Sequence, residues 1–210
     1  MSEIKEILVA TGNPGKIVEI RAMLDADVRW LGLSELPPMD EIAEDGTNFT
    51  ENARKKALGY AKTAGLCTLA DDSGLVVDAL GGGPGVKSAR FSGEKPKDTD
   101  RTLIDHRNIA KTLELLKDVP QEKRTARFVC HLCLASPERV LIETEGILEG
   151  LITYREIGQN GFGYDPIFFV PHLKKTVAQL SSQEKNAISH RGNAIRKLKP
   201  LLDELLRTGM

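Results

Sequence analysis

Adjacent acidic side chains at residues 69–78 could hold a divalent cation against a phosphate ester. Asp71 and Asp72 follow an apolar run and are followed at once by Ser73 and Gly74. Neighbouring side chains on a strand point to opposite faces, so one aspartate can face a site while the other binds backbone or a nearby cation. Carboxylates at strand ends hold metal ions in many folds. The pattern is equally typical of a plain Asp/Ser/Gly turn between two strands.

A second polar segment could bind phosphate at the junction of a strand and a helix. Residues 6–10 form a compact apolar run, and apolar residues recur at helical spacing from Pro14 onward. Free backbone N–H groups at such a junction bind anions. Lys16 lies in the first helical turn, where a lysine opposes the helix dipole unless a negative group is nearby. The segment is either a phosphate site or a capped helix start with a solvated lysine: Thr11-Gly12-Asn13-Pro14-Gly15-Lys16.

An acidic loop and a cationic helix follow along the chain. Residues 40–45 contain four carboxylates, which form either a solvated surface segment or a loop that contributes one metal ligand. The pattern then predicts a helix over residues 48–64. Its polar side chains Asn52, Lys55 and Lys56 are either a wet face or a cationic wall of a cleft.

Aromatic residues on a glycine-rich loop at residues 158–166 could bind a nucleobase. Stacking of a base on an aromatic side chain contributes roughly 1–3 kcal/mol, and Phe162 and Tyr164 both look exposed on this loop. The alternative is that these rings only cover the edge of the core. Three further donors lie close together in sequence: Lys185, His190 and Arg191. A His-Arg pair at a helix start is more often structural, but Lys185 beside it favours a site for an anion or a carbonyl oxygen.

The elements that must position these residues alternate between strands and helices. Such alternation, together with a hairpin around Ser136-Pro137-Glu138, predicts an α/β mixed sheet rather than a purely parallel one. Pro200 predicts a kink or a broken turn in the last helix. Besides the elements named above, we expect strands at residues 28–33, 127–135, 139–148 and 167–170, a helix at residues 99–117, and a serine-capped helical turn beginning at Ser181.

The composition gives the chain no overall attraction to nucleic acid or to membrane surfaces. Its 210 residues carry a formal net charge of -1, so neither kind of partner is expected. No apolar run approaches the roughly 18 residues of a membrane-spanning helix, and the N-terminal residues lack the features of a signal peptide. The three cysteines fit a reducing compartment. Cys130 and Cys133 lie three apart on a predicted strand and should face opposite sides, so we expect structural cysteines in a cytoplasmic protein.

These segments together resemble the inosine-triphosphate pyrophosphatase family, whose members hydrolyse non-standard purine nucleoside triphosphates. The departure Glu156-Ile157-Gly158, where the family usually has Pro-Arg-Gly, is expected to alter a loop rather than the chemistry. The resemblance implies one domain over residues 1–210, an elongated mixed sheet with flanking helices and two lobes around a central cleft, and a homodimer. The matching stretches occur in the family's order over nearly the whole chain: residues 10–16, 70–75, 82–86, 88–90, 161–166, 184–186 and 188–192.

The resemblance also implies a Mg²⁺-dependent cleavage of a purine nucleoside triphosphate to the monophosphate and pyrophosphate. Asp72 and Glu44, with Asp71, would hold Mg²⁺, and Asp72 would activate the attacking water. Phosphate contacts would come from Thr11, Gly12, Asn13, Pro14, Gly15, Lys16, Lys56, Lys185 and the hydroxyl of Ser73. Base choice would come from Phe162, Gly163, Tyr164, Asp165, His190 and Arg191.

Two other functions remain open on the residues themselves. An aspartyl nucleophile at Asp71 or Asp72 would make the chain a Mg²⁺-dependent phosphomonoesterase, which releases orthophosphate. A non-catalytic nucleotide-binding regulator would bind a triphosphate and release nothing.

Overall fold

The computed structural model describes residues 5–24, 26–93 and 100–208. Within them, one sheet has the strand order β2-β1-β3-β4-β5-β6-β7. β1 is parallel to β2 and β3, whereas β6 is antiparallel to β5 and β7. The predicted α/β mixed sheet is therefore confirmed. The strands are β1 (Glu6–Val9), β2 (Arg29–Gly32), β3 (Cys67–Val77), β4 (Thr125–Ala135), β5 (Val140–Ile152), β6 (Phe168–Val170) and β7 (Lys175–Thr176).

The helices flank this sheet and begin close to the predicted positions. Asn48 caps α2 by accepting the Glu51 N–H at 2.9 Å, and Gly65 ends it in the left-handed region with φ 66°. Ser181 and Glu184 form a capping box on α4, which confirms the predicted serine cap. The predicted helix at residues 99–117 is shorter, and Thr99 lies outside the described residues. The helices are α1 (Pro14–Met23), α2 (Phe49–Ala64), α3 (Arg101–Leu115), α4 (Ser182–Ile188) and α5 (His190–Thr208).

Helix α5 continues through Pro200, so of the two expectations, a kink or a broken turn, the broken turn is wrong. A proline inside a helix costs about 3 kcal/mol because it removes one hydrogen bond and crowds the preceding turn. Ile195, Leu198 and Leu202 lie on either side of that position and are buried in one hydrophobic core. Their packing outweighs the local cost.

Across the described residues, the helices are all too short or too polar to span a membrane.

The chain divides into two compact units. The first unit comprises Met1–Asp72, Cys130–Gly146 and His190–Met210, and the second comprises Ser73–Val129 and Ile147–Ser189. The core of the second unit contains residues from β3, α3, β4, β5 and β6.

Alternate strand residues of the first unit pack into two different cores. Leu69 of β3 lies in one core with Ile20 of α1 and Ile195 of α5. The next residue, Ala70, lies in the other core with Ala53 of α2. Helices α1 and α5 therefore cover one face of this part of β3, and α2 covers the other.

The same alternation places the two cysteines of β4 on opposite faces of the strand. Cys130 is buried in the core with α1 and α5, and Cys133 in the core with α2. The two thiols therefore point to opposite faces, as predicted. Burial raises the pKa of each thiol to about 12, which keeps both protonated and unreactive near neutral pH.

The Asp/Ser/Gly segment is not a turn, and that interpretation is wrong. β3 runs for 11 residues without interruption and includes residues 71–74. A Cβ at Gly74 would lie 2.7 Å from the Gly85 carbonyl oxygen, and Leu75 donates its N–H to the Ser88 hydroxyl at 2.9 Å. The glycine therefore permits close packing of the Gly85–Arg90 3₁₀ turn on the strand, rather than a reversal of the chain.

Candidate active site

Asp71 points to the face of β3 that α1 and α5 cover. Its carboxylate lies 2.9 Å from Lys16 Nζ and 3.2 Å from Arg191 Nη2, and the Asp71 and Arg191 side chains are 0% and 1% exposed. Burial alone would raise the pKa of Asp71, but the charges of Lys16, Arg191 and Lys56 outweigh it and hold that pKa far below its usual range. Lys16 is therefore placed in the first turn of α1 beside a permanent negative charge, which removes its conflict with the helix dipole.

Arg191 is held on two sides. Its guanidinium binds Glu19 of α1 as well as Asp71 of β3. Burial lowers the pKa of Arg191, yet these acidic groups more than reverse that effect and leave the pKa above its usual value. Arg191, which the sequence assigned to base choice, thus joins α5, α1 and β3 of the first unit. His190 is buried beside it at the start of α5.

Asp72 points to the opposite face, toward α2. Its Oδ1 lies 3.6 Å from Lys56 Nζ, and its Oδ2 accepts a hydrogen bond from Asn52 Nδ2 at 3.0 Å. Lys56 Nζ also lies 2.9 Å from Glu44 Oε1 and donates to the Asp71 carbonyl oxygen at 2.6 Å. The carboxylates of Asp72 and Glu44 therefore meet at the ammonium group of Lys56, and all three residues were predicted for the site.

The electrostatics of this cluster suit a proton acceptor. Burial raises the pKa of Asp72 above its usual value, with Lys56 opposing the rise and Glu44 adding to it. Burial lowers the pKa of Lys56, but Asp71, Asp72 and Glu44 more than compensate, so the pKa of this amine is raised. A charged lysine beside a carboxylate of raised pKa is an arrangement that can both bind phosphate and accept a proton from water.

The donor set of this cluster fits a magnesium ion. In the described parts of the chain, no three His, Cys, Asp or Glu side chains group together as a metal cage. Mg²⁺ does not need one, because it usually takes one or two carboxylates and completes its shell with water and substrate phosphates. Glu44 and Asp72 supply two hard oxygen ligands that approach the same cation, Lys56.

The loop before α1 is a capped helix start in this structure. The Asn13 side chain accepts the N–H groups of Gly15 at 3.0 Å and Lys16 at 3.4 Å, and Thr11 Oγ1 accepts the Asn13 N–H at 3.2 Å. These backbone donors, which were expected to hold phosphate oxygens, are therefore engaged within the loop. A Cβ at Gly12 would meet nothing within 4 Å, so the space around Gly12 is open.

The aromatic loop of the second unit is built around Asp165. Its Oδ2 accepts the Phe162 N–H at 3.0 Å and lies 2.6 Å from Lys185 Nζ. Lys185 Nζ in turn lies 4.4 Å from the centre of the Phe162 ring. Gly161 has φ 80°, and a Cβ there would collide with Asp165 Oδ2. Lys185, Asp165 and Phe162 thus form one compact group, with the lysine against the ring.

The expectation that Tyr164 is exposed is wrong. Its ring is buried in the core of the second unit, and its hydroxyl donates to the Ser88 carbonyl oxygen at 2.8 Å. Phe162 is half-buried by contrast. The two aromatics differ because Gly163 (φ 61°) turns the backbone between them, and that glycine's N–H is held by Asp105 of α3 at 2.8 Å. Ser73, also half-buried, belongs to this unit.

Two partners of the site, Glu19 and Asp105, were missed in the sequence, whereas Asn52 was identified on one helix with Lys56 but without its contact to Asp72. Glu19 lies three residues after Lys16 on α1. That spacing places two side chains on one helix face, so helical periodicity carried a signal for Glu19. No comparable signal links Asp105 to a loop that lies 58 residues away in sequence.

Comparison with known proteins gives matches over almost the full chain. The model of the Ham1 family matches residues 7–201. The dITP/XTP pyrophosphatase of Desulforamulus reducens is 47% identical over 201 residues, which cover 95% of this chain and 96% of that protein. The dITP/XTP pyrophosphatase of Bacillus cereus is 46% identical over 207 residues, covering 97% of this chain and 98% of that protein.

Solved structures agree with the sequence matches. The Ham1 protein of Staphylococcus aureus superimposes with a TM-score of 0.83 at 42% identity, covering 95% of this chain and 99% of that one. A nucleoside-triphosphatase, or dITP/XTP pyrophosphatase, from Mycobacterium abscessus superimposes with a TM-score of 0.74 at 43% identity, covering 93% and 99%. The family resemblance predicted from the motifs is thereby confirmed, and the chain belongs to the Ham1 family.

Proposed function

We propose that this chain is a nucleoside-triphosphate pyrophosphatase that hydrolyses ITP, dITP and XTP to the monophosphate and pyrophosphate. The observation that carries the proposal is the approach of Glu44 and Asp72 to one ammonium group, Lys56, in a chain whose relatives bear the name dITP/XTP pyrophosphatase. The proposal includes Mg²⁺ as the metal ion, held by Glu44 and Asp72, and a homodimeric assembly.

The first unit supplies the groups for phosphoryl chemistry. Mg²⁺, when bound, neutralises negative charge on phosphate oxygens. Lys56 and Lys16 add fixed positive charge for the triphosphate and for the departing pyrophosphate. Asp72 accepts a proton from the attacking water. Asp71 is already engaged by Lys16 and Arg191, so we assign it the task of holding those cations rather than the chemistry.

The second unit supplies a surface for the purine. Phe162 is the half-buried aromatic of the loop, and Lys185 lies against its ring. Selection of inosine and xanthosine over adenosine needs a donor for the purine 6-oxygen, because adenosine presents hydrogen there. A site built around such a hydrogen bond can discriminate by roughly 10⁴–10⁵.

One product assay separates the three functions. The enzyme is incubated with ITP, dITP, XTP, ATP or GTP and Mg²⁺, and the phosphorus products are identified by NMR. We expect pyrophosphate from ITP, dITP and XTP, far less from ATP, and none after removal of the metal with EDTA. Orthophosphate as the first product would instead indicate a phosphomonoesterase, and binding without any product would indicate a regulator.

Removal of the Phe162 ring should weaken substrate binding more than it slows the chemistry. Stacking worth about 1–3 kcal/mol, lost equally from the ground state and the transition state, raises KM for ITP by about 5- to 150-fold in Phe162→Ala with little change in kcat. Phe91→Ala is a matched control, because Lys111 Nζ lies 4.5 Å from the Phe91 ring centre in a similar cation–π contact. An unchanged KM in Phe162→Ala would place the base elsewhere.

A further inference from the structure

Helix α2 directs a buried amide toward β3, one turn before Lys56. The Asn52 side chain is fully buried, with 0% exposure. Its Nδ2 donates to Asp72 Oδ2 at 3.0 Å, and its Oδ1 accepts the Gly46 N–H at 2.8 Å. The orientation of the amide is fixed by these neighbours, because a backbone N–H can only donate and a carboxylate can only accept.

Asn52 therefore joins two segments that carry different carboxylates. Gly46 follows the acidic loop two residues after Glu44, whereas Asp72 belongs to β3. A Cβ at Gly46 would lie only 2.6 Å from Asn52 Oδ1, so the glycine lets the loop approach the amide closely. Lys56, four residues later on the same helix, contacts Glu44 and Asp72 through its ammonium group.

We propose that Asn52 is a positioning residue that sets the placement of Glu44 relative to Asp72. This inference rests on the proposed function, which assigns the metal ion to those two carboxylates. The amide holds Asp72 through one oxygen and leaves the other directed toward Lys56. Because Asn52 is neutral, it orients a carboxylate without adding charge to the cluster. Partners of this kind, behind the ligands themselves, typically change metal affinity or activity by about 10- to 100-fold when they are removed.

The first test measures the hydrogen bond itself in the metal-free and nucleotide-free enzyme. Asn52→Ala removes the acceptor for the Gly46 N–H, so exchange of that amide with solvent should accelerate by about 10-fold or more. Asn52→Asp keeps an acceptor at this position and should keep the Gly46 amide protected. Unchanged exchange at Gly46 in Asn52→Ala would overturn the proposal.

The second test measures what the positioning does. Mn²⁺ binding to the nucleotide-free enzyme, followed by electron paramagnetic resonance, should weaken by about 10- to 100-fold in Asn52→Ala. For Asn52→Asp, which places a second negative charge against Asp72, kcat for ITP should fall by a similar factor although Gly46 stays protected. Wild-type Mn²⁺ affinity in Asn52→Ala, or wild-type kcat in Asn52→Asp, would overturn the proposal.

A neighbouring asparagine provides the matched control. Asn48 caps the same helix at its exposed end by accepting the Glu51 N–H at 2.9 Å. Asn48→Ala should leave Mn²⁺ affinity, kcat and Gly46 exchange within about 2-fold of wild type, because the bonds of this side chain to described residues all lie around the start of α2.

A wild-type enzyme that binds Mn²⁺ but releases no pyrophosphate would contradict the proposed function. The comparisons of Mn²⁺ affinity and of Gly46 exchange would still decide the role of Asn52.

Discussion

Asp72→Asn is expected to reduce kcat for pyrophosphate release from ITP by about 10²–10⁴-fold, the usual contribution of a general base. The amide cannot accept the proton of the attacking water, and it is a weaker ligand for Mg²⁺ than a carboxylate. The fold should persist, because the carbonyl oxygen of the introduced amide can still accept the hydrogen bond that Asn52 donates at 3.0 Å in the native protein. Steady-state kinetics at saturating Mg²⁺, together with thermal unfolding, measure both effects.

Asp78→Asn controls for the loss of an aspartate as such. Asp78 follows the end of the same strand, and its half-exposed side chain bonds Thr125 and Arg127. This variant should keep kcat within about 2-fold of wild type, because it removes only a surface ion pair worth about 0–1 kcal/mol. If Asp72→Asn turned over ITP at the wild-type rate, the general base would have to be another residue.

The local elements of this chain could be predicted because local chemistry determines them. Asn48 and Gly65 mark the two ends of α2 in the sequence, and the structure uses them as its caps. The alternation of side chains on a strand likewise separates Asp71 from Asp72 correctly. The alternative of a turn at Ser73 and Gly74, which their residue types favour, is wrong. The reason for the glycine lies in a segment 11 residues further on, at Gly85.

The partners within the site could be predicted less well, because most of them are distant in sequence. Arg191 and Asp71 are 120 residues apart, so no spacing rule joins them. Tyr164 and Phe162 share one glycine-rich loop, yet only the fold buries the first and leaves the second half-buried. The motifs therefore identified the residue types of the site, whereas the pairing among them depends on how α1, α2 and α5 pack on β3.

Asp71→Asn is expected to lower the free energy of unfolding by about 3–5 kcal/mol, as is usual when one partner of a buried ion pair is removed. Arg191 would stay buried beside Glu19 with one carboxylate fewer, and Lys16 would lose the carboxylate that lies 2.9 Å away. Arg191→Met leaves Asp71 with less positive charge and should cost a similar amount. Urea denaturation of both single variants and of the double variant gives the coupling.

The double variant should lose less stability than the sum of the two single variants, by roughly 0.5–3 kcal/mol, because each substitution removes the buried charge that the other leaves with one partner fewer. The bidentate pair of Arg54 and Glu143 is the control, with N–O distances of 2.6 and 2.7 Å and an Arg54 side chain that is 50% exposed. Glu143→Gln should cost at most about 1 kcal/mol, since solvent screens a pair whose side chains are 50% and 23% exposed. Equal losses of stability in Asp71→Asn and Glu143→Gln would mean that burial does not set the strength of the Asp71 pair. Strictly additive losses in the double variant would mean that Asp71 and Arg191 stabilise the first unit independently.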